Sequence, residues 1–500
     1  MTAYKTLSID VGTSLIKAVV FDDRGKELTI VRRLATVFTT NNGGSEQDMV
    51  EVWNAVRSAA KEAVSTTDGP INLVCITAQG DGAWLLDDLG APLGQAILWN
   101  DSRATDEVAE WARTGVLDRA FAINGSLTNL GLPNSILAHL QRSDPSRIDR
   151  ASQVLTCGSW VFLQMTGVMG VHPSDGSAPW LDVRTGQYSD ELLELYGLAT
   201  RRSLLPEVLS ADGVVQPLQP EVANDWGLAL GTPVVLAPYD VVSTGVGSGA
   251  AIDGTAFCIL GTTLCTAVVT SSLQLDGPPS GLTLLTGDPG TYVRAFPTLS
   301  GTGLLDWMAQ VLGLANAASV TELANSSSPG AGGVRVWPYI SPAGERAPFL
   351  DPQAQGVIGG LSATTTRADL ARGALEGLAH VVRECLGASG SEPDRLYLSG
   401  GGSSSTLWCQ TLADVTGIPT VRSTDAEVGA KGAAIYAAVA TGQFNSIADG
   451  VRALVHQGAA FEPNPRLSSL HDERHADFLA TRAALTQRWE NWPRKEHNGG

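Results

Sequence analysis

Two stretches half a chain apart carry nearly the same text. Ile9-Asp10-Val11-Gly12-Thr13-Ser14-Leu15-Ile16-Lys17-Ala18-Val19-Val20 aligns without a gap on Cys258-Ile259-Leu260-Gly261-Thr262-Thr263-Leu264-Cys265-Thr266-Ala267-Val268-Val269, and six of the twelve positions are identical. The offset is 249 in a chain of 500, so each half opens with the same unit. That unit is a β-rich run, a Gly-Thr-Ser/Thr turn and a second apolar run. Glycine lets such a turn bring backbone N–H groups and hydroxyls close to a ligand, which makes a small anion cradle. Two cradles facing each other across a cleft would hold a polyphosphate from both sides. A duplicated nucleotide-binding machine is therefore the first expectation.

The bulk properties agree. Five hundred residues exceed one core, so two or more domains are expected. Alternation of strands with helical spacing through the first half predicts a mixed α/β layer fold. The boundary is placed in the small-residue stretch Gly245–Gly254, giving domains over 1–247 and 248–460, then a tail helix and frayed C-terminus over 461–500. Net charge is −18, which argues against nucleic acid as a partner but not against a nucleotide held by backbone dipoles and Mg²⁺. Six scattered cysteines without CxxC spacing read as reduced core thiols. No leader-like segment and no apolar run of membrane-spanning length is seen, so a cytoplasmic protein without membrane association is expected.

Polar residues gather where strands end. Asp10 precedes the first turn and suits Mg²⁺ held through its waters. The second copy has Ile259 there, and Thr266 where the first has Lys17, so the metal side is expected on the first cradle only. Lys17 either meets a phosphate or braces Asp10. Asp240 ends the apolar run Val234–Ala237 and is expected to act as general base toward a substrate hydroxyl attacking a γ-phosphate. Gln79, Asp81 and Trp84 follow another strand, and Trp99, Asp101 and Arg103 form a second cluster; amides, carboxylates and an aromatic face suit a polyhydroxyl ligand. Gly400-Gly401-Gly402-Ser403 lies between a strand and a helix, as a backbone approaching a nucleotide would, and Glu427 is placed on the other wall of an adenosine slot. Neither a Walker A sequence nor a GxSxG elbow is present, and the His471/His475 pair lacks the Glu of a zinc hydrolase.

These residues resemble the FGGY carbohydrate kinases of the actin/Hsp70/sugar-kinase superfamily. The resemblance runs from about residue 4 to 445. It rests on Asp10-x-Gly12-Thr13-Ser14-x-x-Lys17, Leu98-Trp99-Asn100-Asp101-x-Arg103, Gly344-Glu345-Arg346-x-Pro348, and Gly400–Ser403 through Gln410 and Asp414 to Glu427-x-Gly429-Ala430. It implies two RNase H-like domains around a central cleft, ATP with Mg²⁺, hinge closure, and Asp240 as base. Gly12, Thr13, Ser14, Lys17, Gly261, Thr262, Thr263 and Gly303 would bind phosphates, while Gly400, Gly401, Gly402, Ser403 and Gln410 would line the adenosine slot. Gln79, Gly80, Asp81, Trp84, Trp99, Asp101, Arg103 and Asp240 would hold the acceptor.

This chain departs from common family patterns at Asn134 and Ser159, where many members carry a Lys and an acidic residue. Gly80-Asp81 is similar to erythritol kinases and suggests extra room over Gly80, while Tyr239–Thr244 resembles L-xylulose-type kinases. The resulting expectation is phosphorylation of a four- or five-carbon sugar alcohol or ketose. Alternatives are L-xylulose/3-keto-gulonate or glycerol as acceptor, or a nucleotide-dependent binding protein that phosphorylates nothing small. A homodimer is one assembly open to such a chain.

Overall fold

The computed structural model describes residues 4–489, 491 and 492. The expected frayed end at 493–500 lies outside the described residues. Two compact units interleave in sequence: Met1–Asp253 with Val269–Ala295 and Ser423–Gln457, and Gly254–Val268 with Phe296–Arg422 and Gly458–Gly500.

The first unit is built on a six-stranded sheet in the order Val215–Pro217, Pro233–Leu236, Leu73–Ala78, Thr6–Val11, Leu15–Phe21, Glu27–Leu34. Thr6–Val11 runs parallel to Leu73–Ala78, which runs parallel to Pro233–Leu236. All three strands therefore end on the same edge, so Gly12, Gln79 and the loop before Asp240 emerge together. Period-two alternation sorts the side chains. Leu7, Ile9 and Val11 enter the core beneath helix Met49–Ser65, which presents Val52, Val56, Ala59, Ala60 and Ala63. On the opposite face Val19, Phe21, Leu73, Cys75 and Val235 pack on Ala430, Ala433, Ala434 and Ala437 of helix Val428–Ala440. The small residues of that helix also admit helix Asp240–Ser248 at close range, because a Cβ on Gly432 would lie 1.7 Å from the Ser243 carbonyl oxygen.

In the second unit Thr255–Leu260 pairs antiparallel with Leu264–Thr270 and parallel with Arg395–Ser399, which is parallel to Thr420–Ser423. Helices Gly303–Leu312, Arg367–Ala388 and Thr406–Thr416 cover its core. Thr366 caps the long helix in a reciprocal capping box with Asp369, and Gly417 ends Thr406–Thr416 in a left-handed conformation. The repeated hairpins differ by one residue in register: Val11 faces Ile16, whereas Leu260 faces Leu264. None of the six cysteines forms a disulfide, and five are buried. Among the described residues no helix is long and apolar enough to cross a membrane.

Candidate active site

The first hairpin closes on a Gly12 N–H donated to the Leu15 carbonyl at 3.1 Å, with Thr13 partly buried and Ser14 exposed at its tip. Asp10 and Lys17 face each other across the two strands. Lys17 Nζ lies 3.0 Å from Asp10 Oδ2 and 3.1 Å from Glu427 Oε2. Arg32 also pairs with Glu427, its Nε at 3.1 Å from Oε1. Burial alone would lower the proton affinity of Lys17, but the carboxylates of Asp10 and Glu427 outweigh it and hold the ammonium's pKa above its ordinary value. Of the two roles expected for Lys17, the structure shows the brace. Glu427 belongs to this brace within the first unit.

Thr13 links the turn to the neighbouring strand end. Its hydroxyl donates to Gln79 Oε1 at 2.8 Å and accepts from Trp99 Nε1 at 2.9 Å. Gln79 Nε2 donates to Gln47 Oε1 at 2.8 Å, and Gln47 Nε2 donates to the Thr13 carbonyl at 2.8 Å, closing a ring of three residues with Trp99 attached at Thr13. Gln47 carried no sequence signal of its own. Asp101 is buried and receives the Ser45 N–H at 2.9 Å and Arg103 Nε at 2.9 Å, while Arg103 Nη2 reaches Glu46 at 2.7 Å. Asp101 thus fixes the direction of Arg103.

Gly80 does not provide the extra room expected of it. A Cβ there would fall 2.5 Å from the Tyr239 ring, so the aromatic side chain already fills that space. Asp81 adopts a left-handed backbone at φ 55°, a conformation uncommon for a residue with a Cβ. Trp84 is not brought to the cluster: it is 1 % exposed, in strand Trp84–Leu86 within the hydrophobic core.

Asp240 opens its helix directly after Tyr239. It is partly exposed, with protein packed closely around its carboxyl. Burial first, then the charges of Asp10 and Asp81, push its pKa up to about 8, against the Val241 N–H and Lys17, which pull it down. Proton-accepting groups matched to neutral pH are what general-base chemistry needs.

In the second unit Gly261, Thr262 and Thr263 form the turn of the other hairpin. Thr302 N–H donates to the Gly261 carbonyl at 2.9 Å, Gly303 N–H to Thr262 at 3.1 Å and Leu264 N–H to Ser300 at 2.9 Å. Segment 300–303 therefore props this turn, and the segment is itself held by Glu345. That buried carboxylate accepts from the N–H groups of Leu299 at 2.6 Å, Ser300 at 3.2 Å and Arg346 at 2.9 Å, and from Ser300 Oγ at 2.8 Å. Gly400 has φ +82° and sits against Leu260, where a Cβ would be 2.9 Å from the carbonyl oxygen. Gly401–Ser404 form a 3₁₀ turn ahead of helix Thr406–Thr416. Gln410 on that helix bonds Asp414 at 2.9 Å and lines a concavity of about 460 Å³ with Thr321, Glu322, Asn325, Thr406 and Leu407.

Family models match along most of the chain. The N-terminal domain of the FGGY family of carbohydrate kinases matches residues 5–247, and the C-terminal domain of the same family matches 256–441. The chain belongs to the FGGY family of carbohydrate kinases. Among its relatives is an erythritol kinase of Brucella abortus, 31 % identical over 509 residues with 97 % of each chain covered. A xylulose kinase of Escherichia coli is 31 % identical over 450 residues, 88 % of this chain and 91 % of the relative. The crystal structure of a xylulose kinase from Rhodospirillum rubrum superposes with a TM-score of 0.88 at 26 % identity, covering 97 % of this chain and 100 % of that one. This FGGY chain is accordingly a carbohydrate kinase. Kinases of the family take their phosphate from ATP.

Proposed function

We propose that this kinase transfers the γ-phosphoryl group of ATP to a hydroxyl of a four- or five-carbon acceptor, an erythritol-type polyol or a xylulose-type pentulose. The kinship to an erythritol kinase along nearly the whole chain supports this range, and so does the Gly80-Asp81 pair after Gln79. The single observation that carries the mechanism is Asp240, a carboxyl with its pKa raised to about 8 at the strand edge that also presents Gly12 and Gln79.

In this reading Asp240 accepts the proton of the acceptor hydroxyl. The freed oxygen forms the new bond to the γ-phosphorus as the bond to the bridging oxygen breaks and ADP leaves. Gln79, Asp81, Trp99 and Arg103 orient the acceptor. The Gly12–Ser14 and Gly261–Thr263 turns, with Gly303, bind phosphate oxygens through N–H groups and hydroxyls. Gly400–Ser403 and Gln410 take the adenosine. Asp10, with its Oδ2 held by Lys17, would hold Mg²⁺ through water; one carboxylate beside phosphate oxygens fits the few protein ligands this ion takes, and bound there it would supply positive charge to the transferring group. Trp84 has no part in the site, since its indole is in the core.

An ADP-coupled assay over erythritol, threitol, the pentitols, D- and L-xylulose, 3-keto-L-gulonate and glycerol tests the substrate range. Acceptor-dependent ADP release greatest with a tetritol or pentulose is expected. Release greatest with glycerol or a six-carbon acid would overturn the assignment.

A further inference from the structure

The loop that presents Asp240 is fastened from outside the site. Its Pro238 carbonyl accepts from Thr77 Oγ1 at 2.8 Å and from Ser243 Oγ at 2.7 Å. Its Tyr239 ring is pressed on Gly80. A further tether is Ser174, whose Oγ receives the Tyr239 N–H at 3.1 Å. Tyr239 is also the N-cap residue of the helix that begins with Asp240, and its carbonyl accepts from Val242 and Ser243, each at 3.1 Å. Fixing the Tyr239 peptide therefore fixes where Asp240 starts its turn.

Ser174 is itself locked. It is 1 % exposed, in helix Pro173–Trp180. Its hydroxyl lies 3.0 Å from Asp175 Oδ2 and 2.9 Å from His172 Nδ1, and its N–H donates to the same His172 nitrogen at 3.1 Å. Since His172 Nδ1 accepts that N–H, the Ser174 proton goes to Nδ1 or to Asp175, and an oxygen lone pair stays turned to Tyr239. His172 and Asp175 are buried as well, at 4 % and 7 % exposure. A helix start made of three buried polar residues is costly unless the network is satisfied, and here its outward bond goes to the peptide preceding Asp240.

We propose that Ser174 is a positioning residue for phosphoryl transfer: held by His172 and Asp175, it clamps the Tyr239 peptide and so sets the place of Asp240. This rests on Asp240 being the base. A misplacement of the order of 1 Å costs up to about a hundredfold in rate. Ser174→Ala is expected to lower kcat by roughly 10–100-fold with KM for ATP within about twofold, a split that separates lost placement from lost binding. Ser174→Thr, which keeps the hydroxyl, is expected to recover most of the rate.

Ser177→Ala is the control. Ser177 is another buried hydroxyl of the same helix, but it bonds the Ser174 carbonyl at 2.7 Å and not the Tyr239 loop; its kcat is expected to stay within about twofold of wild type. Should Ser174→Ala fail to fold, Gly80→Ala decides, because its Cβ would fall 2.5 Å from the Tyr239 ring and shift the same loop, and it is expected to show the same kcat-selective loss. Equal losses in Ser174→Ala and Ser177→Ala, a KM-only effect, or wild-type kcat in Ser174→Ala would overturn the clamp. Asp240→Asn measured alongside keeps the two ideas apart: if it is inactive while Ser174→Ala is fully active, only the clamp fails; if it is fully active, the base assignment fails first.

Discussion

Lys17 Nζ stands 3.0 Å from Asp10 Oδ2, the two residues directly opposite each other on the first two strands of the chain. The same ammonium holds Glu427, so one cation is shared by two carboxylates of low exposure. Lys17→Met would strip Asp10 of its cation and leave Glu427 to Arg32 alone, and is expected to destabilise the fold by about 1–3 kcal/mol. Thermal and urea unfolding measure it, and Lys17→Arg should recover part of the loss. An unchanged Tm combined with a sharply raised KM for ATP would instead make Lys17 a phosphate ligand.

Glu345 predicts a defect at a distance from its own position. Its carboxylate gathers three N–H groups and one hydroxyl, and the Ser300–Gly303 segment it holds supports the Gly261–Thr263 turn. Glu345→Ala is expected to cost about 2–4 kcal/mol, because buried donors lose their acceptor. KM for ATP should rise with it, since the turn loses its prop. A destabilised variant with unaltered KM for ATP would show that this turn does not contact the nucleotide.

Asp240 predicts a pH-dependent stability. Its folded-state pKa of about 8 exceeds the ordinary aspartate value of 3.8, so the folded protein binds the proton more tightly than the unfolded chain. The resulting stabilisation is complete below about pH 4 and is lost as pH rises through about 8. Asp240→Asn removes this dependence. Its Tm should match wild type near pH 4 and exceed it by a margin that grows to pH 8–9, as read by calorimetry across that range. A margin that is constant or shrinks with pH would contradict the raised proton affinity.

Local patterns were legible in the sequence and long-range pairings were not. The two Gly-Thr-Ser/Thr turns depend on neighbouring residues, and each appears where spacing puts it. Glu427 lies 410 positions from Lys17, and no periodicity links them. Gly80 read as open space because its neighbour in space, Tyr239, arrives from another strand end. Trp84 sits two residues after Gly82 at a strand end, which suggested a ligand contact, but the pleat turned its ring inward. The roles of Gln47 and Glu345 are hydrogen-bonded supports, and a support is visible only once its partner is placed.

The assignment of Asp240 as the proton acceptor is tested most directly by steady-state kinetics of Asp240→Asn, with ATP binding measured on the same preparation. A fall in kcat of roughly 10²–10⁴-fold with ATP affinity within about twofold of wild type is predicted. Wild-type turnover in that variant would contradict the account.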